Sequence, residues 1–339
     1  MLIELPISKS IANRLLILQA IHGDELMPVS DSMPDDVRIM SEAIRRLGER
    51  REARIDLGNC GTAMRFLTAY CAQLEGQMVI LDGIERMHHR PIGQLVDALR
   101  EIGADIEYLS KEGFPPLKIK GCILDKHRIV TINNPQSTQF VSAMLLIGAN
   151  AQTNSTSPYI TLTRELIQRY TTLHNSTQRY TIEKDWSSAA FWYEYVALHG
   201  GEIELPGLYK DTLQGDKVVA DIFAYLGVHT TYTAEGIVIY SSPLHSTLYT
   251  LHQDFASCPD LYPAVALTCE RLGVTLHATG VESLPLKESD RLRAVAEHRT
   301  DADHRMAMAL LIADYEVEDT ACISKSYPQF IEQFRQLQS

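Results

Sequence analysis

The stretch LGNCGTAMRFLTAYCA, residues 57–72, sets the pattern for the whole chain. Small and polar residues at Asn59, Gly61 and Thr62 form a turn-permissive entry, and side chains recur at helical spacing from Ala63 onward. A helix start offers unpaired backbone N–H groups and the positive end of the helix dipole. A glycine in the entry lets an anion approach the backbone, so the stretch is typical either of an anion site or of an ordinary capped helix.

Five further stretches repeat this pattern of small or polar residues before an apolar helical run. They are residues 7–20, 136–149, 185–198, 257–272 and 303–314. A second predicted helix comes after each of the six, over residues 35–47, 91–102, 158–170, 216–226, 288–297 and 326–337. Strand-like runs at 78–84, 202–208, 274–281 and 316–319 lie between the two helices of most pairs. The chain therefore reads as six α/β units, three in each half.

The units differ in the length of the segment after their second helix. Units two and four continue with long alternating strand patterns such as DIEYL and LKIKG, whereas units one, three and five have only short joins. A helix that lies on a sheet exposes apolar surface when several strands are absent. Either the natural chain is trimmed at these joins, or segments are missing from this sequence, and the apolar surface favours missing segments.

A content of 45% hydrophobic and 22% charged residues is typical of a soluble globular protein. Because 339 residues are more than one core usually serves, two domains are expected. No run of 18 apolar residues occurs and the start MLIELPISKS does not resemble a signal peptide, which predicts a cytoplasmic protein without a membrane partner. The six cysteines form no CxxC pair and the histidines form no HExxH motif, so neither a disulfide framework nor a zinc site is expected.

The net charge of −12 argues against nucleic-acid binding, which needs a basic face. Lysine and arginine nevertheless recur where the predicted helices begin. Examples are Lys9, Arg14, Arg65, Arg90, Lys287, Arg291, Arg305 and Lys325. An acidic protein that concentrates cations in a few loops is expected to bind a small, multiply charged anion.

Several of these stretches, taken in order, resemble the signature segments of the 5-enolpyruvylshikimate-3-phosphate (EPSP) synthase family. The matching segments are ISKSIANR (7–14), GNCGTAMRF (58–66), ERMHHRPIG (85–93), QSTQF (136–140), LKESDRL (286–292), DHRMAM (303–308) and SKSYPQF (324–330). The resemblance implies an α/β (α+β) fold, a two-domain inside-out α/β barrel with three βαβαββ-type units per domain and the active site in the interdomain cleft. It implies a first domain over 9–181 and a second over 182–339 that includes residues 1–8.

The resemblance also implies the reaction. The family transfers the enolpyruvyl group of phosphoenolpyruvate (PEP) to the 5-hydroxyl of shikimate 3-phosphate by addition and elimination, with release of phosphate. This is a transferase step of the shikimate pathway, on the route to chorismate and the aromatic amino acids. The two small-molecule substrates are the expected partners, no metal or organic cofactor is expected, and a monomer is usual for the family.

The site residues are carried over position by position. For PEP they are Lys9, Gly61, Arg90, Gln139, Arg291, Arg305 and Lys325. For shikimate 3-phosphate they are Lys9, Ser10, Arg14, Ser137, Thr138, Gln139, Thr156, Tyr159, Asp260, Ser283 and Lys287. The implied catalytic residues are Asp260 as base, Glu288 as acid and Lys9 as a participant in proton transfer. The chemistry suits these residue types, because arginine binds carboxylates and phosphates with two parallel hydrogen bonds.

Competing interpretations remain open for individual residues. Asp260 precedes a helix and is also typical of an N-cap, and Glu288 could act only on a helix dipole. Arg65 and His304 are interpreted as structural. Trp186, Phe191 and Trp192 are expected in the core.

Two alternative functions stay open for the whole chain. One is that of the related enolpyruvyl transferase that acts on UDP-N-acetylglucosamine, which SKSIANR and DHRMAM disfavour. The other is that of a catalytically impaired remnant that only binds a ligand or a partner, which the short units alone would support.

Overall fold

The computed structural model describes residues 1–49, 52–174, 180–242 and 250–338. The chain divides into two compact units. The N-terminal unit comprises Ser10–Ser30 and Asp36–Thr181, and the C-terminal unit comprises Met1–Lys9, Asp31–Asp35 and Ile182–Ser339. The domain boundaries implied by the resemblance, 9–181 for the first domain and 182–339 with 1–8 for the second, stay a prediction.

The N-terminal unit alternates helices and strands. Its helices are α1 (Lys9–His22), α2 (Asp35–Glu49), α3 (Gly61–Ala72), α4 (Gly93–Glu101), α5 (Thr138–Leu146) and α6 (Pro158–His174), the first two beginning at the last residues assigned to the other unit. Its strands are β1 (Glu52–Asp56), β2 (Met78–Asp82), β3 (Asp105–Tyr108), β4 (Leu117–Lys120), β5 (Val130–Thr131) and β6 (Ala151–Gln152). A four-stranded sheet has the order β1-β2-β4-β3, and β5 pairs with β6.

Helix α3 confirms the helix predicted within residues 57–72, and it is the crossover between the parallel strands β1 and β2. Its residues are buried almost without exception, so both the sheet side and the opposite side of the helix are covered. The Sγ atom of Cys60 accepts a hydrogen bond from the backbone N–H of Ala63 at 3.4 Å and thereby caps the helix. Residues 59–61 are held at the start of this buried helix.

The C-terminal unit has the same alternation. Its helices are α7 (Trp186–His199), α8 (Val219–Tyr225), α9 (Tyr262–Leu272), α10 (Arg291–Ala296), α11 (His304–Ile312) and α12 (Phe330–Gln338). Its strands are β7 (Glu202–Pro206), β8 (Val228–Tyr232), β9 (Gly236–Ser241), β10 (Thr250–Asp254) and β11 (Thr275–Thr279). Strands β7, β9 and β8 form an antiparallel sheet in that order, and β10 pairs in parallel with β11.

The first residues of the chain pair with the C-terminal unit. Leu2 forms a parallel bridge with Glu204, and Ile7 forms an antiparallel bridge with Lys184. The backbone N–H of Ser8 donates to the carbonyl of Glu183 at 2.8 Å. These bonds fix the backbone directly before Lys9, the first residue of α1.

All six predicted pairs of helices are found. The C-terminal core contains Trp186, Phe191 and Trp192 at 0% exposure, as predicted. The predicted strand at 316–319 is wrong: these described residues are not a strand, because so short an alternating run needs a neighbouring strand to supply its hydrogen bonds. Glycines at the ends of three helical patterns, Gly48, Gly103 and Gly227, predict helix C-caps. Gly48 instead lies inside α2, whereas Gly103 and Gly227 do follow helix ends at positive φ.

None of the helices within the described ranges has the length and hydropathy needed to cross a membrane.

Candidate active site

Seven charged residues of the C-terminal unit form one hydrogen-bonded network, called the C-terminal cluster below. They are Asp260, Lys287, Glu288, Arg291, Asp303, Arg305 and Lys325. They come from the loop before α9, the loop before α10, the first residues of α10 and α11, and the short 3-10 helix Ala321–Lys325. The fold therefore brings together residues that lie up to 65 positions apart by converging several helix starts.

Asp260 is the point at which the cations meet. Its Oδ1 atom lies 2.8 Å from Arg291 Nη1 and 3.4 Å from Lys287 Nζ, and its Oδ2 atom lies 2.9 Å from Arg305 Nη2. Burial by itself would raise the pKa of Asp260, but the charges of Arg305, Lys287 and Arg291 outweigh burial and hold the pKa well below its usual range. The side chain is an ionised carboxylate at neutral pH and does not cap α9, whose N-cap is Leu261.

Arg291 is buried and contacts three carboxylates. Its Nε atom donates to Asp303 Oδ2 at 2.8 Å, and its Nη2 atom donates to Glu288 Oε2 at 3.2 Å, in addition to the bond to Asp260. Burial would lower the pKa of Arg291, but the charges of Asp303, Asp260 and Glu288 outweigh it and raise the pKa. The guanidinium is therefore a permanent, oriented cation.

Glu288 lies between two cations. Its Oε1 atom is 2.9 Å from Lys325 Nζ, and its Oε2 atom accepts from Arg291. Its side chain is only 11% exposed, and it precedes α10, whose N-cap is Asp290. Glu288 contacts charged side chains directly, which goes beyond the helix-dipole role considered for it.

Two further buried carboxyls, Asp185 and Asp216, lie near Arg305. Burial raises the pKa of Asp185, although the charges of Arg305 and Lys9 oppose the shift. Burial and the charge of Asp260 raise the pKa of Asp216 to about 6, and Ser187 Oγ donates a hydrogen bond to that carboxyl. The positive charge of Lys9 therefore favours the ionised form of Asp185, which lies in the same unit.

His304 is fully buried beside the cluster. Burial, followed by the charges of Lys9 and Arg305, lowers the pKa of His304 well below its usual value, so the ring is neutral. Within the described ranges neither ring nitrogen has a hydrogen-bond partner. This placement agrees with the interpretation of His304 as a structural residue.

In the N-terminal unit the start of α3 meets Arg90. The Nη1 atom of Arg90 donates to the carbonyl of Asn59 at 3.2 Å, and the side chain is 6% exposed. A Cβ atom on Gly61 would come within 2.5 Å of Arg90 Nη1. Glycine at this position therefore makes room for a guanidinium, which the sequence did not indicate, while its own backbone N–H donates to the carbonyl of Asn59 at 3.1 Å.

Arg14 joins α1 to α5 and α6. Its Nε atom donates to Thr163 Oγ1 at 2.7 Å, and its Nη1 atom donates to the carbonyl of Ser10 at 2.8 Å. Its Nη2 atom reaches Ser142 Oγ at 3.2 Å and the carbonyl of Tyr159 at 3.4 Å. Burial lowers the pKa of Arg14 to about 10. The structure brings together Ser10, Arg14 and Tyr159, with most donors of Arg14 already used inside the protein.

The start of α5 holds three predicted site residues. Ser137 Oγ caps the helix by accepting from the backbone N–H of Gln139, and Thr138 is the first helical residue. The side-chain amide of Gln139 contacts Arg65 and Thr62 of α3. Ser137, Thr138 and Gln139 thus share one helix start.

Comparison with known proteins identifies the family. Residues 2–300 match the family model described as EPSP synthase (3-phosphoshikimate 1-carboxyvinyltransferase). The chain belongs to the EPSP synthase family. The 3-phosphoshikimate 1-carboxyvinyltransferase of Bacteroides fragilis is 36% identical, with 98% of this chain and 94% of that protein covered. The protein of the same name from Colwellia psychrerythraea is 30% identical, with 99% and 96% covered.

A solved EPSP synthase from Acinetobacter baumannii has the same fold. The TM-score is 0.68 at 20% identity, over 99% of this chain and 95% of that one. The predicted two-domain α/β fold of the EPSP synthase family is confirmed.

The EPSP synthase relatives also bear on the short units. The alignment with the Bacteroides fragilis protein extends over 393 residues, although this chain has 339. The relative therefore contains segments for which this chain has no counterpart. The interpretation of the short joins as missing segments stays a prediction.

Two predicted site residues, Thr156 and Ser283, lie outside the C-terminal cluster and outside the starts of α3 and α5. Thr156 is exposed and precedes α6, whose first turn is capped by the neighbouring Ser157, the acceptor for the N–H of Tyr159. Ser283 precedes the short 3-10 helix Leu284–Leu286, and within the described residues its side chain makes no hydrogen bond to the C-terminal cluster.

Asp303 of the C-terminal cluster and the nearby Asp216 were not singled out as site residues from the sequence, and Arg65 was interpreted only as structural. Asp303 accepts the N–H of Arg305 at 3.0 Å as the N-cap of α11 and also holds Arg291. An Asp before an apolar helical run is a recognisable N-cap signal, so the cap could have been predicted. No signal in the sequence indicated Asp216 as a site residue or paired Arg65 with Gln139.

Proposed function

We propose that this chain acts as the EPSP synthase of its family, with the C-terminal cluster as its proton-transfer centre. The activity is transfer of the enolpyruvyl group of PEP to the 5-hydroxyl of shikimate 3-phosphate, with release of phosphate. The observation that carries the proposal is the convergence of Arg291, Arg305 and Lys287 on Asp260, with Glu288 adjoining. This arrangement offers an oriented base, a second carboxyl group and a set of cations for anionic substrates.

Asp260 is proposed as the base for the 5-hydroxyl. Three cations keep the side chain an ionised carboxylate and hold both oxygens in place, and its basicity rises when the anionic substrates draw these cations away. The hydroxyl oxygen forms a bond to C2 of PEP, and C3 gains a proton. The C2–O bond to phosphate then breaks as C3 loses a proton, which leaves the enol ether.

Glu288 is proposed as the acid at C3. The positive charges of Lys325 and Arg291 favour the carboxylate form of Glu288 while they stay paired with it. The phosphate and carboxylate of PEP compete for these cations, so PEP binding favours proton uptake by Glu288. Lys9 is proposed to take part in these proton transfers, because the backbone pairing before it fixes its position and its charge reaches Asp185 and His304.

The remaining assignments concern binding. Arginine and lysine at Arg90, Arg291, Arg305 and Lys325, with Gly61 and Gln139, are proposed to bind PEP. Hydroxyls at Ser137, Thr138 and Thr156 are proposed to bind the shikimate phosphate. The ring and its carboxylate are proposed to be bound by Ser10, Arg14, Gln139, Tyr159, Ser283 and Lys287, so Gln139 contacts both substrates. Buried, charge-assisted hydrogen bonds of this kind give both affinity and orientation.

The finer statements about the environment are also proposals. The six cysteines are all free, which fits a reducing compartment, and we infer the cytoplasm. A monomer is inferred because the proposed site needs residues of this chain alone. The remnant hypothesis is not favoured, because every proposed catalytic group and cation is present, and most of them lie in the C-terminal cluster or at the starts of α3 and α5.

The test is phosphate release from the purified protein. We expect release only when PEP and shikimate 3-phosphate are both present. Glu288→Gln should abolish release while both substrates still bind in a calorimetric titration. Glu297→Gln is the matched control, because Glu297 is an exposed glutamate paired with Arg293 at 2.8 Å and should leave the rate unchanged. A folded wild-type protein that releases no phosphate with both substrates would overturn the proposal.

A further inference from the structure

The side-chain amide of Gln139 is held on both sides by α3. Arg65 Nη1 lies 2.6 Å from Gln139 Oε1, and Gln139 Nε2 lies 2.9 Å from Thr62 Oγ1. Thr62 and Arg65 are three residues apart and therefore lie on one face of the helix. Gln139 is only partly buried, so two side chains of α3 hold its amide while the residue keeps some exposure to solvent.

The contact with Arg65 decides which way the amide faces. A guanidinium carries only donors, so it can face the carbonyl oxygen of an amide and never its NH₂ group. The two ends of a glutamine amide are otherwise interchangeable in shape. With Oε1 on Arg65, the Nε2 atom points to the hydroxyl of Thr62, which can accept one hydrogen. The second Nε2 hydrogen is left for a ligand.

Arg65 is itself held in place. It is 7% exposed, and its guanidinium carbon lies 5.5 Å from the centre of the Phe140 ring. A cation over an aromatic face is attracted by the ring, and burial restricts its movement. A hydrogen bond from a cation is also stronger than a neutral one, and it polarises the amide toward a stronger Nε2–H donor.

We propose that Arg65 is a positioning residue that fixes Gln139 as a hydrogen-bond donor to bound shikimate 3-phosphate. This inference rests on the proposed function, in which Gln139 contacts the substrates. The phosphate and carboxylate oxygens of the substrate accept hydrogen bonds and cannot donate them. A reversed amide would turn its carbonyl oxygen toward these anions and repel them, so the orientation set by Arg65 determines whether Gln139 attracts or opposes the ligand.

The experiment is a double-mutant cycle on substrate affinity. Arg65→Met keeps an unbranched side chain and removes the donor, and we expect the Kd for shikimate 3-phosphate to rise about tenfold or more. In a Gln139→Ala background the same change should alter the Kd by less than about twofold, because Arg65 acts through Gln139. Arg65→Lys, which can also only donate, should restore part of the affinity.

Two further variants make the result specific. Gln139→Glu keeps a partner for Arg65 but lacks the N–H donor, so its affinity should fall at least as far as that of Gln139→Ala. Arg100→Met is the matched control, because Arg100 also lies over a ring, 5.0 Å from Tyr108, and donates to the carbonyl of Ile106 outside the candidate site. Its affinity should equal that of the wild type.

The outcomes separate this inference from the proposed function. Multiplicative effects of Arg65→Met and Gln139→Ala, or wild-type affinity in Gln139→Glu, would overturn the positioning role. If Arg65→Met does not fold, as judged by circular dichroism, the Gln139→Glu result decides. Binding of shikimate 3-phosphate by a wild-type protein that releases no phosphate would refute the proposed function and still leave the cycle interpretable.

Discussion

Asp303 is predicted to support the C-terminal cluster through two separable interactions. Its buried carboxylate pairs with Arg291 at 2.8 Å and caps α11 by accepting the N–H of Arg305 at 3.0 Å. Asp303→Asn keeps an acceptor for the cap and removes the charge. Removing one partner of a buried ion pair costs about 3–5 kcal/mol, and we expect about 3 because Arg291 keeps Asp260 and Glu288. Asp303→Ala also loses the cap, which adds about 1 kcal/mol.

The assay is urea unfolding followed by tryptophan fluorescence. The chain has two tryptophans, Trp186 and Trp192, and both lie in the core of the C-terminal unit. Their emission therefore reports the unfolding of that unit. Asp290→Asn is the matched control, because Asp290 caps α10 by accepting from Arg293 and has no buried partner of this kind among its described contacts. It should cost less than about 1 kcal/mol.

Two results would refute this reasoning. If both Asp303 variants stay within about 1 kcal/mol of the wild type, the buried pair does not support the unit. If Asp303→Asn and Asp303→Ala are equally unstable, the carboxylate does not act as a helix cap in addition to its pairing with Arg291.

Two more predictions concern Gly61 and Asp216. Gly61→Ala places a Cβ within 2.5 Å of Arg90 Nη1, so the guanidinium must move. The loss of one charged hydrogen bond should raise the KM for PEP about tenfold in the phosphate-release assay. An equal rise in the KM for shikimate 3-phosphate would contradict the assignment of Gly61 and Arg90 to PEP. Asp216 has its pKa raised to about 6, so the folded protein binds more protons than the unfolded chain between about pH 4 and that value, and stability falls as pH rises through this window. Asp216→Asn removes this titration and should gain up to about 3 kcal/mol over the wild type between about pH 4.5 and pH 7.5, measured by urea unfolding; parallel pH profiles would show that Asp216 does not titrate in this range.

The six pairs of helices and most of the strands could be predicted because they depend on local periodicity. Apolar residues at helical spacing after a small or polar entry predict a helix wherever they occur, as at Gly61–Ala72 and at Trp186–His199. The strand predicted at 316–319 is wrong because strand formation depends on a neighbour that four residues do not specify. The cations in the helix entries likewise indicated an anionic ligand before any contact was known.

The sequence by itself determined the elements, the charged motifs and, through them, the family. Only the tertiary structure decided what each charge does. Asp260 looked like a helix cap locally, yet it binds Arg291 and Arg305, which lie 31 and 45 positions away. Arg65 and Gln139 meet across 74 positions, and no periodicity relates them. Helix formation is read along the chain, whereas the orientation of an amide or a carboxylate depends on donors that folding brings from elsewhere.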